Sequence, residues 1–234
     1  MRQIVLDTET TGLNARTGDR VVEIGCIELR NRRITDRHFH TYLNPEREIE
    51  EGAARVHGLT LEFLSDKPRF ADVANDFLDY VRGAELVIHN AEFDVEFLDR
   101  ELARQKLGKL AGHVSGIVDT LALARELHPG KRNNLNALCE RYGVDHAQRK
   151  LHGALLDAEL LAEVYLAMTR GQESLMMMLE NEDANAAEAV RIDGSKLVVV
   201  RASAQERARH DKVMGDIERE SGGSVWRRRD ADPG

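Results

Sequence analysis

The 234-residue chain carries 33 Lys and Arg against 41 Asp and Glu, a formal charge of −8. This length supports a full hydrophobic core plus an appendage, and the acidic balance excludes a protein that grips duplex nucleic acid through a broad polycationic surface. Two widely spaced cysteines, Cys26 and Cys139, exclude a disulfide scaffold, and no stretch resembles an export signal or a membrane span, so a soluble cytoplasmic protein with no membrane contact is expected.

Residues 2–7 read as a strand, followed by a turn-rich stretch over 8–19 and a second apolar run over 21–29. A third strand is expected over about 33–43, and the short Asn31-Arg32 connection predicts a hairpin, hence an antiparallel start. Helical spacing follows over 70–81, strand character over 85–89, helix from 92 to about 105, and a short strand near 115–118. Helical segments then dominate, over 120–127, 135–142 and 154–168. Strands first and βαβ alternation afterwards predict an α/β fold, a mixed five-stranded sheet with helices on its faces.

The composition changes after Glu180. Residues 181–189 are small, polar and acidic, which suits a flexible linker or a frayed helix. Residues 196–201 have strand character, and Ser203 with Glu206 has capping-box spacing ahead of a helix over 204–220 that Gly222-Gly223 can end. Trp226, the only tryptophan, precedes three arginines. So small a module buries little by itself, so the expected organisation is a main domain over 1–180, a linker over 181–190 and a docking segment over 191–234.

Four carboxylates stand where the patterning calls for apolar residues. Asp7 and Glu9 are two apart at the end of the first strand, so both project to one side of the sheet and can share a cation. Taken alone, Asp-x-Glu reads more readily as a solvated strand end followed by a Thr-Thr-Gly turn. Asp94 shares its helical direction with Phe97, Leu98 and Leu102, while Glu92, Glu96 and Asp99 point away; an ion pair and a ligand both fit. Asp157 is central to Leu160, Leu161, Val164 and Met168, away from Glu159 and Glu163. His152 precedes Gly153 and therefore approaches from outside that helix, a natural proton acceptor beside clustered acids. Hard oxygen donors without a Cys or His cluster favour Mg²⁺ or Mn²⁺, and four carboxylates can hold two such ions. The matching chemistry is phosphodiester hydrolysis.

Leu6-Asp7-Thr8-Glu9-Thr10-Thr11-Gly12-Leu13, His89-Asn90-Ala91-Glu92-Phe93-Asp94 and His152-Gly153-Ala154-Leu155-Leu156-Asp157 resemble, in order, the three motifs of the DEDDh 3′→5′ exonucleases. Val56-His57-Gly58 and Pro129-Gly130-Lys131-Arg132-Asn133 extend the resemblance toward the proofreading members that serve bacterial DNA polymerase III. The resemblance implies an RNase H-like fold, metal binding at Asp7, Glu9, Asp94 and Asp157, a general base at His152, and contacts to the terminal nucleotide from Thr10, Gly12, Leu13, His57, His89 and Asn90. For His57 and His89 a packed, hydrogen-bonding role is the other reading, and for Asp119 helix capping is the simpler one. Gln172-Glu173-Ser174-Leu175-Met176-Met177 is similar to a sliding-clamp peptide, with Gln172, Leu175 and Met177 as contacts. The end of the chain is similar to a segment that docks on the polymerase alpha subunit, with Val198, Val200 and Trp226 as anchors.

The implied activity is proofreading: release of deoxynucleoside 5′-monophosphates from a single-stranded or frayed 3′ end. An RNA-trimming exonuclease and a non-catalytic subunit that stabilises the polymerase are the alternatives.

Overall fold

The computed structural model describes residues 1–147, 149, 151–170 and 202–221. The chain divides into two units, Met1–Glu180 and Asn181–Gly234.

In the first unit β1 (Arg2–Thr10), β2 (Val21–Arg30), β3 (Arg33–Tyr42), β4 (Glu85–Ile88) and β5 (Gly116–Asp119) form one sheet in the order β3-β2-β1-β4-β5. The pairs β1/β2 and β2/β3 are antiparallel, and β1/β4 and β4/β5 are parallel. The β2–β3 hairpin turns on Asn31 and Arg32, whose φ values of 48° and 60° let a two-residue loop follow the strand twist. The helices are α1 (Glu51–His57), α2 (Leu61–Leu64), α3 (Phe70–Val81), α4 (Ala91–Arg104), α5 (Thr120–Leu127), α6 (Leu135–Tyr142) and α7 (Ala154–Met168). The mixed five-stranded sheet flanked by helices is the fold class expected from the sequence.

Central β1 is covered on both faces, so Ile4, Val5 and Leu6 are apolar at successive positions and point alternately into two cores. Ile4 and Leu6, with Ile24, Leu86 and Ile88, pack on Phe70 and Phe77 of α3 and Phe97 of α4. Val5, Ile27, Leu29 and Val87 pack on Leu138 of α6 and Leu160, Leu161 and Val164 of α7. Each of these fully buried side chains contributes roughly 1.5–3 kcal/mol. Cys26 and Cys139 are buried and unpaired.

Two local features differ from expectation. β1 continues past Asp7 because its pairing with β2 continues, through Thr8 with Ile24 and Glu9 with Glu23. Thr-Glu-Thr-Thr-Gly has turn composition, but the partner strand overrides it. The short helices α1 and α2 have no counterpart in the sequence reading, since seven and four residues are too few to display a period.

One glycine matters to the site. Gly25 faces Asp7 across the β1–β2 ladder, and a Cβ there would lie 2.2 Å from the Ala154 backbone carbon. Only a bare Cα lets the start of α7 come this close to the sheet.

In the second unit the described element is α8 (Ala204–Ser221). Its start carries the expected capping box: the Ser203 N–H donates to Glu206 Oε2 over 2.8 Å, and the Glu206 N–H donates to Ser203 Oγ over 3.3 Å. The linker over 181–190, the strand expected over 196–201, the clamp peptide with Gln172, Leu175 and Met177, and Trp226 lie outside the described residues. No described helix is long and apolar enough to cross a membrane.

Candidate active site

The fold brings the acids together from three elements. Asp7 and Glu9 share the β1 face that looks toward α7, one and two steps beyond Val5 along the period-two alternation. Asp94 comes from α4 on the opposite face, and Asp157 from the first turn of α7, beside Gly25. Asp94 and Asp157 are buried at 3 % and 2 % exposure, whereas Glu92, Glu159 and Glu163 are exposed, as the helical projection requires.

Asp7, Glu9, Asp94, Asp157 and His152 line a single cavity of about 530 Å³, together with Leu13, His89 and Asn90. Ligand atoms of Glu9, His152 and Asp157 lie within 4.8 Å of one another. Thr10, Gly12 and His57, expected at the terminal nucleotide, do not line this cavity. Thr10 Oγ1 donates to the Gly12 carbonyl over 2.7 Å, and a Cβ on Gly12 would collide with Asp19 and Glu50, so these residues shape the loop that presents Leu13. His57 is buried, its Nδ1 accepts the Leu59 N–H over 3.0 Å, and its Nε2 has no partner among the described residues.

Electrostatics mark the cluster as short of positive charge. Burial raises the Asp7 carboxyl well above its ordinary range, and repulsion from Asp94, Glu9 and Asp157 adds to it. Burial, then Asp157, Glu23 and Asp94, pushes Glu9 to about 8. Asp94 reaches about 7 through burial, opposed by the Thr8 hydroxyl, which donates to Asp94 Oδ1 over 2.7 Å. Carboxylates so placed favour a divalent cation that would restore their charge, and the oxygen donor set fits Mg²⁺ or Mn²⁺.

His152 enters from the loop ahead of α7. Its backbone N–H donates to the Val56 carbonyl over 3.1 Å, so the unforeseen α1 anchors it. Burial, and then Arg149, lower its pKa, against the pull of Asp157. On the other rim Asn90 adopts φ 67°, a conformation that costs a non-glycine residue energy and here starts α4. Asp119 Oδ1 accepts the Asn90 N–H over 3.1 Å as well as capping α5 through Leu121 at 2.8 Å. His89 Nδ1 meets Thr120 Oγ1 at 2.9 Å, and burial lowers its pKa.

Sequence reasoning missed two participants, Thr8 and Arg149. Arg149 lies against the acids with a side chain 7 % exposed. Its Nε donates to Asp157 Oδ1 over 2.5 Å and its Nη2 to Asp157 Oδ2 over 2.6 Å. Nη2 also reaches His152 Nδ1 at 3.1 Å, and Nη1 bonds Asn136 Oδ1. A lone arginine in an aperiodic loop gives no local signal.

Known proteins resemble this chain in sequence and in fold. The exonuclease family of RNase T type matches residues 4–165. DNA polymerase III subunit epsilon of Salmonella typhimurium is 50 % identical over 97 % of this chain and 97 % of its own length. The Escherichia coli protein of the same name is 49 % identical over the same shares. Among solved structures, exonuclease X in complex with 5′-overhanging duplex DNA superposes with a TM-score of 0.57 at 26 % identity, covering 72 % of this chain and 92 % of that one. The chain belongs to the exonuclease family and, within it, groups with the epsilon subunits of bacterial DNA polymerase III.

Proposed function

We propose that the chain is a proofreading 3′→5′ exodeoxyribonuclease that removes mispaired 3′-terminal nucleotides as deoxynucleoside 5′-monophosphates beside a replicative polymerase. The observation that carries this is the convergence of Asp7, Glu9, Asp94, Asp157 and His152 on one cavity, in a chain half identical to proteins named DNA polymerase III subunit epsilon.

Asp7, Glu9, Asp94 and Asp157 would hold two divalent cations, Mg²⁺ or Mn²⁺, which when bound supply activation of the attacking water and neutralisation of the charge that develops on the phosphate. His152, its pKa held down, is neutral near pH 7 and offers a ring nitrogen for the water proton. Leu13, 82 % exposed at the cavity mouth, gives a terminal base an apolar surface, and Asn90 and His89 offer it polar contacts. Thr10, Gly12 and His57 support that surface. A mispaired end frays readily, so a cleft for an unpaired terminus favours errors without reading sequence. A neighbouring cavity of about 600 Å³ shares His89, Asn90 and Asn134 and carries Arg125 and Lys131, suitable for phosphates upstream of the terminus.

The remaining residues serve assembly in this reading. Residues 181–190 link the catalytic domain to a segment over 191–234 that docks on the polymerase alpha subunit through Val198, Val200 and Trp226. Gln172, Leu175 and Met177 engage the sliding clamp. The protein works in the cytoplasm, where the chromosome is copied.

The test is degradation of 5′-labelled single-stranded DNA by the purified chain with Mg²⁺ or Mn²⁺, with a matched RNA beside it. Stepwise 3′ shortening of DNA, lost in Asp7→Ala, is expected; activity that persists in that variant, or RNA as the preferred substrate, overturns the reading. His152→Ala should slow the reaction roughly 10²- to 10⁴-fold with Mn²⁺ affinity retained by calorimetry. Deleting residues 181–234 should keep nuclease activity and end co-elution with the alpha subunit.

A further inference from the structure

The cavity lined with acids contains its own cation. Among its described lining residues, Arg149 is the only Arg or Lys. It does not lie across the mouth as a substrate-binding arginine would; its fork closes on both oxygens of Asp157 while Nη1 is tied to Asn136. The side chains of Asp157 and Arg149 are both nearly closed to solvent, at 3 % and 7 % exposure. A buried bidentate pair of this kind is strong and geometrically exclusive, because both carboxylate oxygens have their lone pairs in the plane of the guanidinium committed to it.

The same guanidinium also faces the base. With Nη2 at 3.1 Å from His152 Nδ1, and an arginine able only to donate, that nitrogen offers its lone pair to Arg149. Asp157 Oδ2 lies 3.5 Å from the same ring nitrogen. A single side chain therefore engages one of the four acids and the proton acceptor together.

We propose that Arg149 is an internal counter-cation that holds the site off until a divalent ion displaces it. The inference rests on the metal-dependent reading of the site given above. Arg149 stands in for the ion at Asp157, which stabilises the metal-free fold and sets a threshold for metal loading. Displacement frees Asp157 to act as a ligand and His152 Nδ1 to accept a proton in one movement. Asn136, which fixes the far end of the guanidinium, is a positioning residue for the locked state. The device keeps the nuclease idle while it is not loaded, a useful property in an enzyme that works beside newly made DNA ends.

The experiment measures metal binding without DNA. Mn²⁺ is titrated calorimetrically into the full chain as wild type, Arg149→Gln, Asn136→Ala and Asp7→Asn. Thermal unfolding in EDTA and in Mn²⁺ is followed in parallel. Removing the competing cation should tighten Mn²⁺ binding about tenfold or more in Arg149→Gln, with a lower melting temperature in EDTA and a larger gain on adding Mn²⁺. Asn136→Ala, which touches no carboxylate, should shift affinity in the same direction by roughly two- to fivefold, and it decides the matter if Arg149→Gln does not fold. Affinity that is unchanged or weaker in the variant that decides overturns the proposal. If only this comparison fails, while wild type binds Mn²⁺ and Asp7→Asn does not, the proposed function stands without the lock. If wild type binds no Mn²⁺, both fall.

Discussion

Glu28 and Glu9 stand on neighbouring strands of one sheet, both shut off from water at 0 % and 8 % exposure, and the fold treats them in opposite ways. Glu28 accepts from Arg2 Nε at 2.6 Å, Thr35 Oγ1 at 3.1 Å and Arg30 Nε at 3.3 Å. Burial works against its ionisation, but these donors outweigh it and lower its pKa. Glu101 also has an arginine partner, forked by Arg20 at 2.6 and 2.9 Å. Glu9 faces Glu23 across the ladder, close to Asp157 and Asp94, and its pKa is pushed to about 8. Glu28 and Glu101 are thus neutralised by arginine from within, whereas Glu9 and its neighbours in the cavity are left for charge from outside. Asp157 belongs to both groups, which is why its arginine carries the proposal above.

The most drastic way to probe this contrast is Asp7→Asn. Nuclease activity should fall by about 10³-fold or more, yet the metal-free protein should become more stable, since one carboxyl leaves a repelling cluster. The pH dependence follows the same logic. Glu9 moves from 4.5 to about 8 and Asp94 from 3.8 to about 7, so between those values the folded state holds protons that the unfolded chain has released. The slope of unfolding free energy with pH is therefore negative. In EDTA the melting temperature should drop as pH rises from about 5 to 8, less steeply in Asp7→Asn, and Mn²⁺ should reverse the loss. A wild-type melting temperature that rises over this interval would show the acids to be compensated from within after all.

Glu28→Gln tests the other pole. Removing the charge leaves Arg2, 23 % exposed, facing a neutral amide, and stability should fall by about 3 kcal/mol in denaturant unfolding. The rate of DNA degradation should remain within about twofold, because only stability is touched. Loss of activity in a folded Glu28→Gln protein would dissolve the distinction between the two regions.

The same contrast explains what was legible in the sequence. Asp94 and Asp157 could be located because their helices have apolar faces, and an acid on such a face breaks a regular pattern. Asp7 and Glu9 were legible only as a spacing at a strand end, and the strand itself runs on to Thr10 because β2 pairs with it. The long helices α3, α5, α6 and α7 kept their expected limits, since period and caps agree there: Asp119 and Asn134 cap α5 and α6. Arg149 was out of reach because its role depends on a loop folding back onto α7, which no periodicity encodes. Glu28 was unreadable for a related reason: its partners Arg2 and Thr35 lie on the two strands flanking its own.

Thr8 is the finest test, because it decides how far the cavity moderates its own acids. Its hydroxyl donates to Asp94 Oδ1 over 2.7 Å and pulls that carboxyl down against burial. Thr8→Val keeps the shape but removes the donor, so the Asp94 pKa should rise and a larger fraction should be protonated at any given pH. A protonated Asp94 is a poor ligand, so the acid limb of the kcat/KM profile should move upward by up to about one pH unit. Activity near neutral pH should fall roughly three- to tenfold and recover in more alkaline buffer. Thr8→Ser, which restores a donor, should return the profile toward wild type. If the valine variant loses activity equally at every pH, Thr8 merely packs against α4; if only the acid limb moves, the hydroxyl sets the pH at which Asp94 becomes available as a ligand.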